Sequence, residues 1–367
     1  MRFVGPLALI DLASLVHNLG VARRHAPHSR IWAVIKADAY GHGMDKAAAA
    51  LTAADGFAVA RLEEALRLRA AGVEHPILVL NGALSREETA VAWEARLDLA
   101  LHRAEQADWL ATLPVTAALA GRPLRIWLKV DTGMHRLGLD PAEVPRIQAR
   151  LADCPAVAPG PGLLTHLANA DEPADPLTDL QCRRLRDLAR PGQALNIGNS
   201  AGLLAWPAAR ADWVRPGIML YGASPFADRD GSALDLRPVM TLKTQLSATH
   251  VFRAGERIGY GGTYVCPEDM PVGVAAIGYG DGFPRHAPTG TPVLVKGQCV
   301  PLIGRVSMDS ITLDLRPVPE ARPGDEVILW GQGLPVEEIA HAAGTISYDL
   351  LCGVSPRVRR DLAKCSA

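Results

Sequence analysis

Between residues 30 and 217, short apolar runs alternate with longer segments in which apolar and polar residues follow a helical period. Such apolar runs are typical of strands buried on both faces of a parallel sheet. Because eight strands alternate with helices, we predict a (β/α)8 barrel of the TIM type rather than an open sheet. The predicted strands are Ile31–Ile35, Phe57–Ala60, Ile77–Leu80, Leu97–Leu101, Leu124–Val130, Gly162–Leu167, Ala194–Ile197 and Trp213–Arg215.

The amphipathic segments predict the outer helices of this barrel, and one further helix precedes its first strand. In such barrels the chemistry lies where the strands end, at the carboxyl-terminal face. Residues just after each predicted strand are therefore the first candidates for a site. The predicted helices are Asp11–Arg24, Met44–Leu51, Arg61–Ala71, Arg86–Ala95, Arg103–Leu110, Pro141–Leu151 and Pro176–Leu188.

From about residue 233 the pattern changes to short alternating strands separated by glycine and proline turns, which is typical of an all-β domain. Only Pro335–Ala343 has a helical pattern there, and the polar segment Pro225–Leu236 has the composition of a linker. We therefore predict an α/β protein with the barrel in residues 1–233 and a mostly-β domain in residues 234–367. The predicted strands of the second domain are Val239–Val251, Val272–Ile277, Val293–Val295, Val300–Ile303, Ser310–Leu315 and Glu326–Trp330.

Length and composition agree with two globular domains, since the chain has 367 residues, of which 49% are hydrophobic and 21% charged. A net charge of −1 gives no electrostatic reason to expect a nucleic acid or an anionic membrane as partner. No apolar run reaches the ~18 residues of a membrane span, and the first one is too weak for a signal peptide. Six cysteines without a C-x-x-C pair predict no metal site. We expect a cytoplasmic protein.

Lys36 follows the first predicted barrel strand and precedes a glycine-flanked turn at Gly41–Gly43. A lysine at the mouth of a strand is placed for Schiff-base chemistry, because partial burial favours the neutral, nucleophilic amine. The alternative is an interfacial lysine with a buried stem and an ammonium group that reaches water.

Polar residues also fall at or just after the ends of later predicted strands. They are Lys129 with Asp131, His166, Asn199 with Ser200, and Arg215. Phosphate sites in this fold form from the loops after the seventh and eighth strands. Those loops carry Ser200 and the pair Gly217-Ile218, whose hydroxyl and backbone N–H groups are donors that a phosphate requires.

The sequence Ala33–Gly43 resembles the lysine motif of the alanine racemases, which bind pyridoxal 5'-phosphate. The resemblance implies a pyridoxal-phosphate-dependent enzyme that interconverts L- and D-alanine by two bases, to supply D-alanine for peptidoglycan or to degrade it. Matching motifs follow in order along nearly the whole chain at Lys129–Gly138, Thr165-His166, Asn199–Ala201, Arg215–Ile218, Gly261–Tyr264, Ile277–Gly282, Gly304–Asp309 and Ser347–Asp349.

By this resemblance, Lys36 holds the cofactor as an imine and is one base, and Tyr264 is the second base on the opposite face. A tyrosine is a poor base at neutral pH, and the resemblance assigns its support to His166. Arg215 resembles the arginine that faces the cofactor's ring nitrogen. A guanidinium opposes protonation of that nitrogen, which weakens the electron sink and suits reversible proton exchange. Outside their motifs, Tyr264 and His166 would be interpreted as packed structural residues.

The resemblance assigns further residues to binding. Lys129 resembles a lysine that the family carries as a carbamate, and an ion pair with Asp131 is the alternative. The family's β-domain caps the barrel of a second chain, so we expect a head-to-tail homodimer with shared active sites. Cofactor contacts are assigned to Lys36, Tyr40, Arg136, His166, Asn199, Ser200, Arg215, Gly217, Ile218 and Tyr348, substrate contacts to Arg136, Met308 and Asp309, and a polar access corridor to Asp171, Tyr279, Arg285, Arg305 and Tyr348.

Three other functions remain open. A serine or broad-specificity racemase of the same fold differs only in pocket size, which the sequence does not define. A basic amino acid decarboxylase of related fold carries a glutamate at the ring nitrogen and a glycine-rich phosphate loop, so Arg215 and Asn199-Ser200 argue against it. A non-catalytic pyridoxal-phosphate carrier lacks the second domain, and Tyr264 argues against that class.

Overall fold

The structure is a computed structural model that describes residues 5–113 and 122–363. After a first strand, β1 (Leu7–Ile10), eight parallel strands form a closed barrel in which the last strand pairs with the first. This confirms the predicted fold class. The barrel strands are β2 (Arg30–Val34), β3 (Gly56–Val59), β4 (Ile77–Val79), β5 (Asp98–Leu101), β6 (Ile126–Lys129), β7 (Gly162–Leu164), β8 (Leu195–Asn196) and β9 (Trp213–Val214).

Helices alternate with the barrel strands, and the ends of the seven predicted helices differ from the observed ends by only a few residues, whereas the short helix Ser200–Ala205 was not predicted. The helix Leu62–Ala70 shows why the helical period is visible in the sequence: its buried residues Leu62, Ala65 and Leu68 recur every three positions on one side. The predicted segment Pro141–Leu151 begins with a 3-10 turn, because Pro141 sets the backbone and Asp140 accepts from the N–H of Ala142. The helices are Leu12–His25, Met44–Ala50, Leu62–Ala70, Arg86–Glu94, Ala104–Ala111, Val144–Ala152, Leu177–Asp187 and Ser200–Ala205.

Two tryptophan–glycine pairs on neighbouring strands pack the barrel wall. Trp32 on β2 lies beside Gly56 on β3, and Trp127 on β6 lies beside Gly162 on β7. A Cβ atom on either glycine would approach the indole to 2.3 Å or 2.5 Å, which is far inside van der Waals contact. The indole of Trp32 also stacks on Trp213, with ring centroids 4.4 Å apart. Glycine is therefore required at both positions for close packing.

The contacts divide the chain into a barrel unit, residues 16–39 and 43–220, and a sheet unit with the described residues of 1–15, 40–42 and 221–367. The sheet unit has an eight-stranded sheet and a separate two-stranded pair. The longest strand, Met240–Phe252, pairs antiparallel with the strand Met270–Ala275 and has a bulge between Leu246 and Ala248. The strands are β10 (Met240–Phe252), β11 (Arg257–Ile258), β12 (Tyr264–Val265), β13 (Met270–Ala275), β14 (Pro292–Val295), β15 (Gln298–Ile303), β16 (Ile311–Asp314), β17 (Glu326–Trp330) and β18 (Arg359–Leu362). The order in the large sheet is β13-β16-β15-β14-β17-β10-β1-β18, and β11 pairs with β12.

The sheet unit differs from the sequence prediction in two ways. Strand β1 pairs antiparallel with β10 and parallel with β18, so the start of the chain completes the sheet. The domain ranges 1–233 and 234–367 stay a prediction. The sequence analysis did not foresee that β1 belongs to the sheet unit. The prediction that Pro335–Ala343 is the only helix there is wrong, because Ser347–Gly353 is a second helix after Val336–Ala342. Its buried side consists only of Ser347, Leu350 and Leu351, too few for a periodic pattern.

Among residues 5–113 and 122–363, no helix is both long and apolar enough to cross a membrane. Within the same two ranges, no three histidine, cysteine, aspartate or glutamate side chains are grouped so that they could hold a metal ion.

Candidate active site

Lys36 lies just beyond the end of β2, and the four residues after it have a left-handed backbone. The φ angles of Ala37, Asp38, Ala39 and Tyr40 are 52°, 51°, 55° and 52°. For residues with a Cβ atom this conformation costs roughly 1–2 kcal/mol each. Such strain persists only where neighbouring contacts hold it, and it is concentrated at functional sites. The turn after Lys36 therefore depends on contacts from other elements.

Two side chains of the helix Leu62–Ala70, those of Glu64 and Arg67, supply contacts to this turn. The Glu64 carboxylate accepts a hydrogen bond from the backbone N–H of Ala37, with an N–O distance of 2.7 Å. The Asp38 carboxylate accepts from the backbone N–H of Met44 and from the Arg67 guanidinium, each at 3.0 Å. Sequence reasoning missed Glu64, although a glutamate in the first turn of a helix is a recognisable capping signal.

Arg215 follows β9 directly and is almost fully buried, at 4% exposure. Its Nη1 donates to the backbone and side-chain oxygens of Asn196, and its Nη2 donates to the carbonyl oxygens of Thr165 and Ile197. Four of the five guanidinium N–H groups are thus held at the ends of β7 and β8, which leaves the Nε–H without a partner among the described residues. Burial lowers the pKa of Arg215 to about 10, so the group is still a cation at neutral pH.

Lys129 is the last residue of β6 and is 6% exposed. Burial, followed by the positive charges of Arg215, Arg136 and Lys36, lowers its pKa to about 8. The alternative ion pair with Asp131 is not formed: that carboxylate accepts from the backbone N–H groups of residues 133–135 and contacts the His135 ring. The positive charges of Lys36, Arg136 and Arg215 therefore all act on Lys129 at the carboxyl end of the barrel.

His166 lies two residues beyond β7. Burial, and then the charges of Arg215 and Arg136, hold its pKa well below the usual value, so the imidazole is neutral at physiological pH. A neutral imidazole has one nitrogen that accepts a proton and one that donates a hydrogen bond.

The predicted phosphate loops come together after β8 and β9. The Ser200 hydroxyl accepts from the backbone N–H of Gly217 at 2.9 Å, and the N–H of Ile218 has no partner among the described residues. Asn199 stands at the start of the helix Ser200–Ala205, and its side-chain oxygen caps the N–H of Gly202 at 2.8 Å. That contact makes Asn199 a support of the loop.

In the sheet unit, Tyr40 and Tyr348 form an aromatic cluster with Tyr221. The rings of Tyr40 and Tyr221 stack with centroids 4.6 Å apart, and Tyr348 lies 6.0 Å from Tyr40. Burial raises the pKa of Tyr40 far above its usual value, so its hydroxyl is protonated and remains a hydrogen-bond donor. Sequence reasoning missed Tyr221, which has no motif of its own in the matched set.

Tyr264 begins β12 in the sheet unit. Its ring packs against the cluster around Met270 and Ile303, and its hydroxyl lies 3.7 Å from the Met270 sulfur. Burial, and then the negative charge of Asp314, raise the pKa of Tyr264 above its ordinary value. The hydroxyl is therefore a proton donor in this chain at neutral pH.

The remaining predicted residues lie mostly at the surface. Met308 is 53% exposed and Tyr279 is 40% exposed. The backbone N–H of Tyr279 donates a hydrogen bond to the carbonyl oxygen of Ser307, the residue before Met308. Asp309 pairs with Arg357 at 2.6 Å. Exposed side chains are those of Asp171, Arg285, Arg305 and Arg136.

The barrel unit thus brings together Lys36, Lys129, His166 and Arg215 at one end of its strands, with Ser200 in the adjoining loop. These groups fit pyridoxal phosphate: an amine, an unpartnered guanidinium N–H, a neutral imidazole, and the Ser200 hydroxyl near the unpartnered N–H of Ile218. The barrel unit also contains the predicted residues Arg136, Asp171, Asn199, Gly217 and Ile218, whereas the sheet unit contains Tyr40, Tyr264, Tyr279, Arg285, Arg305, Met308, Asp309 and Tyr348.

Two family profiles match consecutive parts of the chain: "Alanine racemase, N-terminal domain" over residues 10–225 and "Alanine racemase, C-terminal domain" over residues 239–362. The alanine racemase of Nitrosococcus oceani is 54% identical over 357 residues, which cover 97% of this chain and 99% of that protein. That of Aeromonas hydrophila is 48% identical over 354 residues, covering 96% and 98%.

Solved structures agree over the same length. The biosynthetic alanine racemase of Pseudomonas aeruginosa is 45% identical, with a TM-score of 0.92 over 99% of this chain and 100% of that one. The alanine racemase of Bartonella henselae with covalently bound pyridoxal phosphate is 28% identical, with a TM-score of 0.88 over 98% of this chain and 100% of that one.

Proposed function

The chain belongs to the alanine racemase family and is an amino acid racemase, and we propose that Lys36 and Tyr264 are the two groups that exchange the α-proton of alanine. The observation that carries the assignment of the lysine is the fixed Arg215 guanidinium, which keeps one N–H without a partner among the described residues at the barrel end where Lys36 and the neutral His166 imidazole also lie. Relatives named alanine racemase over nearly the full length support L- and D-alanine as the substrates.

Pyridoxal phosphate is the cofactor we propose, and when bound it supplies the electron sink that makes the α-proton of an amino acid removable. Lys36 would hold it covalently, and the Arg215 Nε–H would face its ring nitrogen. Ser200, Gly217 and Ile218 would hold its phosphate, and the cofactor contacts of Tyr40 and Tyr348 stay predictions from the sequence. A permanent cation at the ring nitrogen opposes protonation there, which favours returning the proton over decarboxylation.

Lys36 and Tyr264 have complementary tasks in this proposal. Once the amino group of the substrate has displaced Lys36 from the cofactor, the freed Lys36 amine would take the α-proton from one face. Tyr264, protonated at rest, delivers a proton to the other face. In the reverse direction the Tyr264 hydroxyl would act as a base only after losing its own proton, and the resemblance assigns the support of that step to His166.

Alanine rather than serine is the proposed substrate. Purified, cofactor-loaded protein is incubated with L-alanine or L-serine, and the chirality of each amino acid is followed. We expect alanine to racemise faster by roughly 10-fold or more, since a pocket sized for a methyl group discriminates by ~1–3 kcal/mol. Equal rates would instead assign the chain a broad specificity.

A carbamate on Lys129 is the second proposal. The neutral amine adds carbon dioxide and releases one proton, so a cation among three cations becomes an anion. Because the pKa of Lys129 is about 8, the neutral amine, and with it the carbamate, should increase as the pH rises from 7 to 9. Protein equilibrated with 13C-bicarbonate should show a carbamate carbon signal by NMR that is absent in Lys129→Met. Its absence from the unmodified chain would refute the carbamate.

A homodimer with shared sites is the third proposal. Tyr264 lies in a segment with exposed apolar neighbours: Tyr260 is 68% and Val265 is 49% exposed. Met308 adds an apolar side chain that is 53% exposed. An apolar surface around a catalytic tyrosine is typical of an interface with a second copy.

Mixing two inactive variants tests the sharing. Lys36→Ala and Tyr264→Phe subunits are combined, dissociated and reassociated. If each site takes its lysine from one chain and its tyrosine from the other, a mixed dimer has one intact site, and about a quarter of the activity should return. Dilution should lower the specific activity of the unmodified protein as dimers separate. No recovery on mixing, or a fully active monomer, would overturn shared sites. A cytoplasmic location and the absence of nucleic-acid and membrane partners stay predictions from the sequence.

A further inference from the structure

We propose that Glu64 is a positioning residue for Lys36: its carboxylate joins the left-handed turn after the lysine to the end of the neighbouring barrel strand. The inference rests on the proposed role of Lys36. Glu64 does not touch the reacting atoms; it acts through the backbone that carries the lysine.

The carboxylate bridges two strand ends. Oε1 accepts from the N–H of Ala37, the residue after Lys36, at 2.7 Å. Oε2 accepts from the N–H groups of Ala60 and Arg61, just beyond β3, at 2.8 Å and 3.1 Å. Since β2 and β3 are paired neighbours in the barrel, one side chain fixes the lysine turn to the barrel wall.

The bridge needs both carboxylate oxygens. Three backbone donors are divided between two oxygens, and hydrogen bonds to an ionised acceptor are about twice as strong as neutral ones. Glutamine offers one oxygen and would turn an NH2 group toward at least one N–H. Without an acceptor, the Ala37 N–H loses the contact that opposes the left-handed strain of four successive residues.

Helix capping alone does not account for this arrangement. Glu88 caps the helix Arg86–Glu94 in the same manner, accepting from the backbone N–H of Leu84 at 2.6 Å. The bond from Glu64 to Ala37 is the additional contact, across 27 residues of sequence and next to Lys36. Glu88 is therefore a matched control: its loss removes a helix cap with no contact to the lysine turn.

The test compares Glu64→Gln, Glu64→Ala and Glu88→Ala with the unmodified chain. In cofactor-free protein, amide hydrogen exchange is measured for the peptide that contains residues 36–40. The rate of covalent attachment of added pyridoxal phosphate is then followed by visible absorbance, and kcat and KM for alanine are measured. We expect faster exchange in that peptide, slower attachment and a fall in kcat of about 10–100-fold, larger for Ala than for Gln, with little change in KM.

Glu88→Ala should lower the melting temperature without changing exchange in that peptide, attachment or kcat. Unchanged exchange and attachment in Glu64→Ala, or equal losses in Glu88→Ala, would overturn the positioning role. If unmodified protein does not attach the cofactor at Lys36, the proposed function fails, and exchange in the cofactor-free chains still decides whether Glu64 holds the turn.

Discussion

Replacing Lys36 with alanine should lower racemisation by at least about 10³-fold. The change removes the proposed covalent attachment and one of the two bases at once, and the remaining pocket has no second amine suited to the task. Lys129 lies nearby, but it belongs to a different strand, β6, and the charges of Arg215 and Arg136 act on it. The measurement is the rate of D-alanine formation from L-alanine, with visible absorbance to report the attached cofactor.

Lys46→Ala is the control for this change, because Lys46 is an exposed lysine on the helix Met44–Ala50. It should keep full activity and full attachment. A Lys36→Ala protein that still turned over alanine at a comparable rate would remove the lysine from the mechanism.

Replacing Tyr264 with phenylalanine should reduce interconversion by about 10²–10⁴-fold, while the cofactor remains bound. The ring keeps its packing against Met270 and Ile303, and only a weak contact of the hydroxyl with sulfur is lost, so stability should hardly change. Since the Lys36 face is intact, one enantiomer should still exchange its α-proton with solvent. The experiment follows deuterium uptake and chirality separately for L-alanine and D-alanine.

Tyr260→Phe supplies the matched control, since Tyr260 is an exposed tyrosine four residues away. It should leave both faces active. Equal loss of α-proton exchange from both enantiomers in Tyr264→Phe would show that the tyrosine is needed for more than its own face, and unchanged racemisation would exclude it as a base.

The barrel was predictable because its strands are buried on both faces and its helices on one, which leaves distinct periods in the sequence. The positions of Lys36, His166 and Arg215 at the barrel end were predictable, because each lies within two residues of the end of a strand. The partners of Arg215 were not, because Thr165, Asn196 and Ile197 come from the ends of two strands that only the closed barrel brings together.

The turn after Lys36 was also beyond sequence analysis. None of Ala37, Asp38, Ala39 and Tyr40 is a glycine, so local preference opposes the left-handed backbone that they adopt. Contacts from elsewhere in the chain, such as that of Glu64, decide the outcome. Strand β1 is a similar case, since its two partners lie more than 200 residues away in sequence.

The most direct test of two-base racemisation is incubation of cofactor-loaded protein with L-alanine in D2O, with chirality and α-deuteration measured in the same samples. We predict that D-alanine appears with deuterium at the α-carbon. Deuterated L-alanine without D-alanine would show that one base works and the opposite face does not. If neither deuterated product formed, the account would be contradicted, because the chain would then not remove the α-proton of alanine.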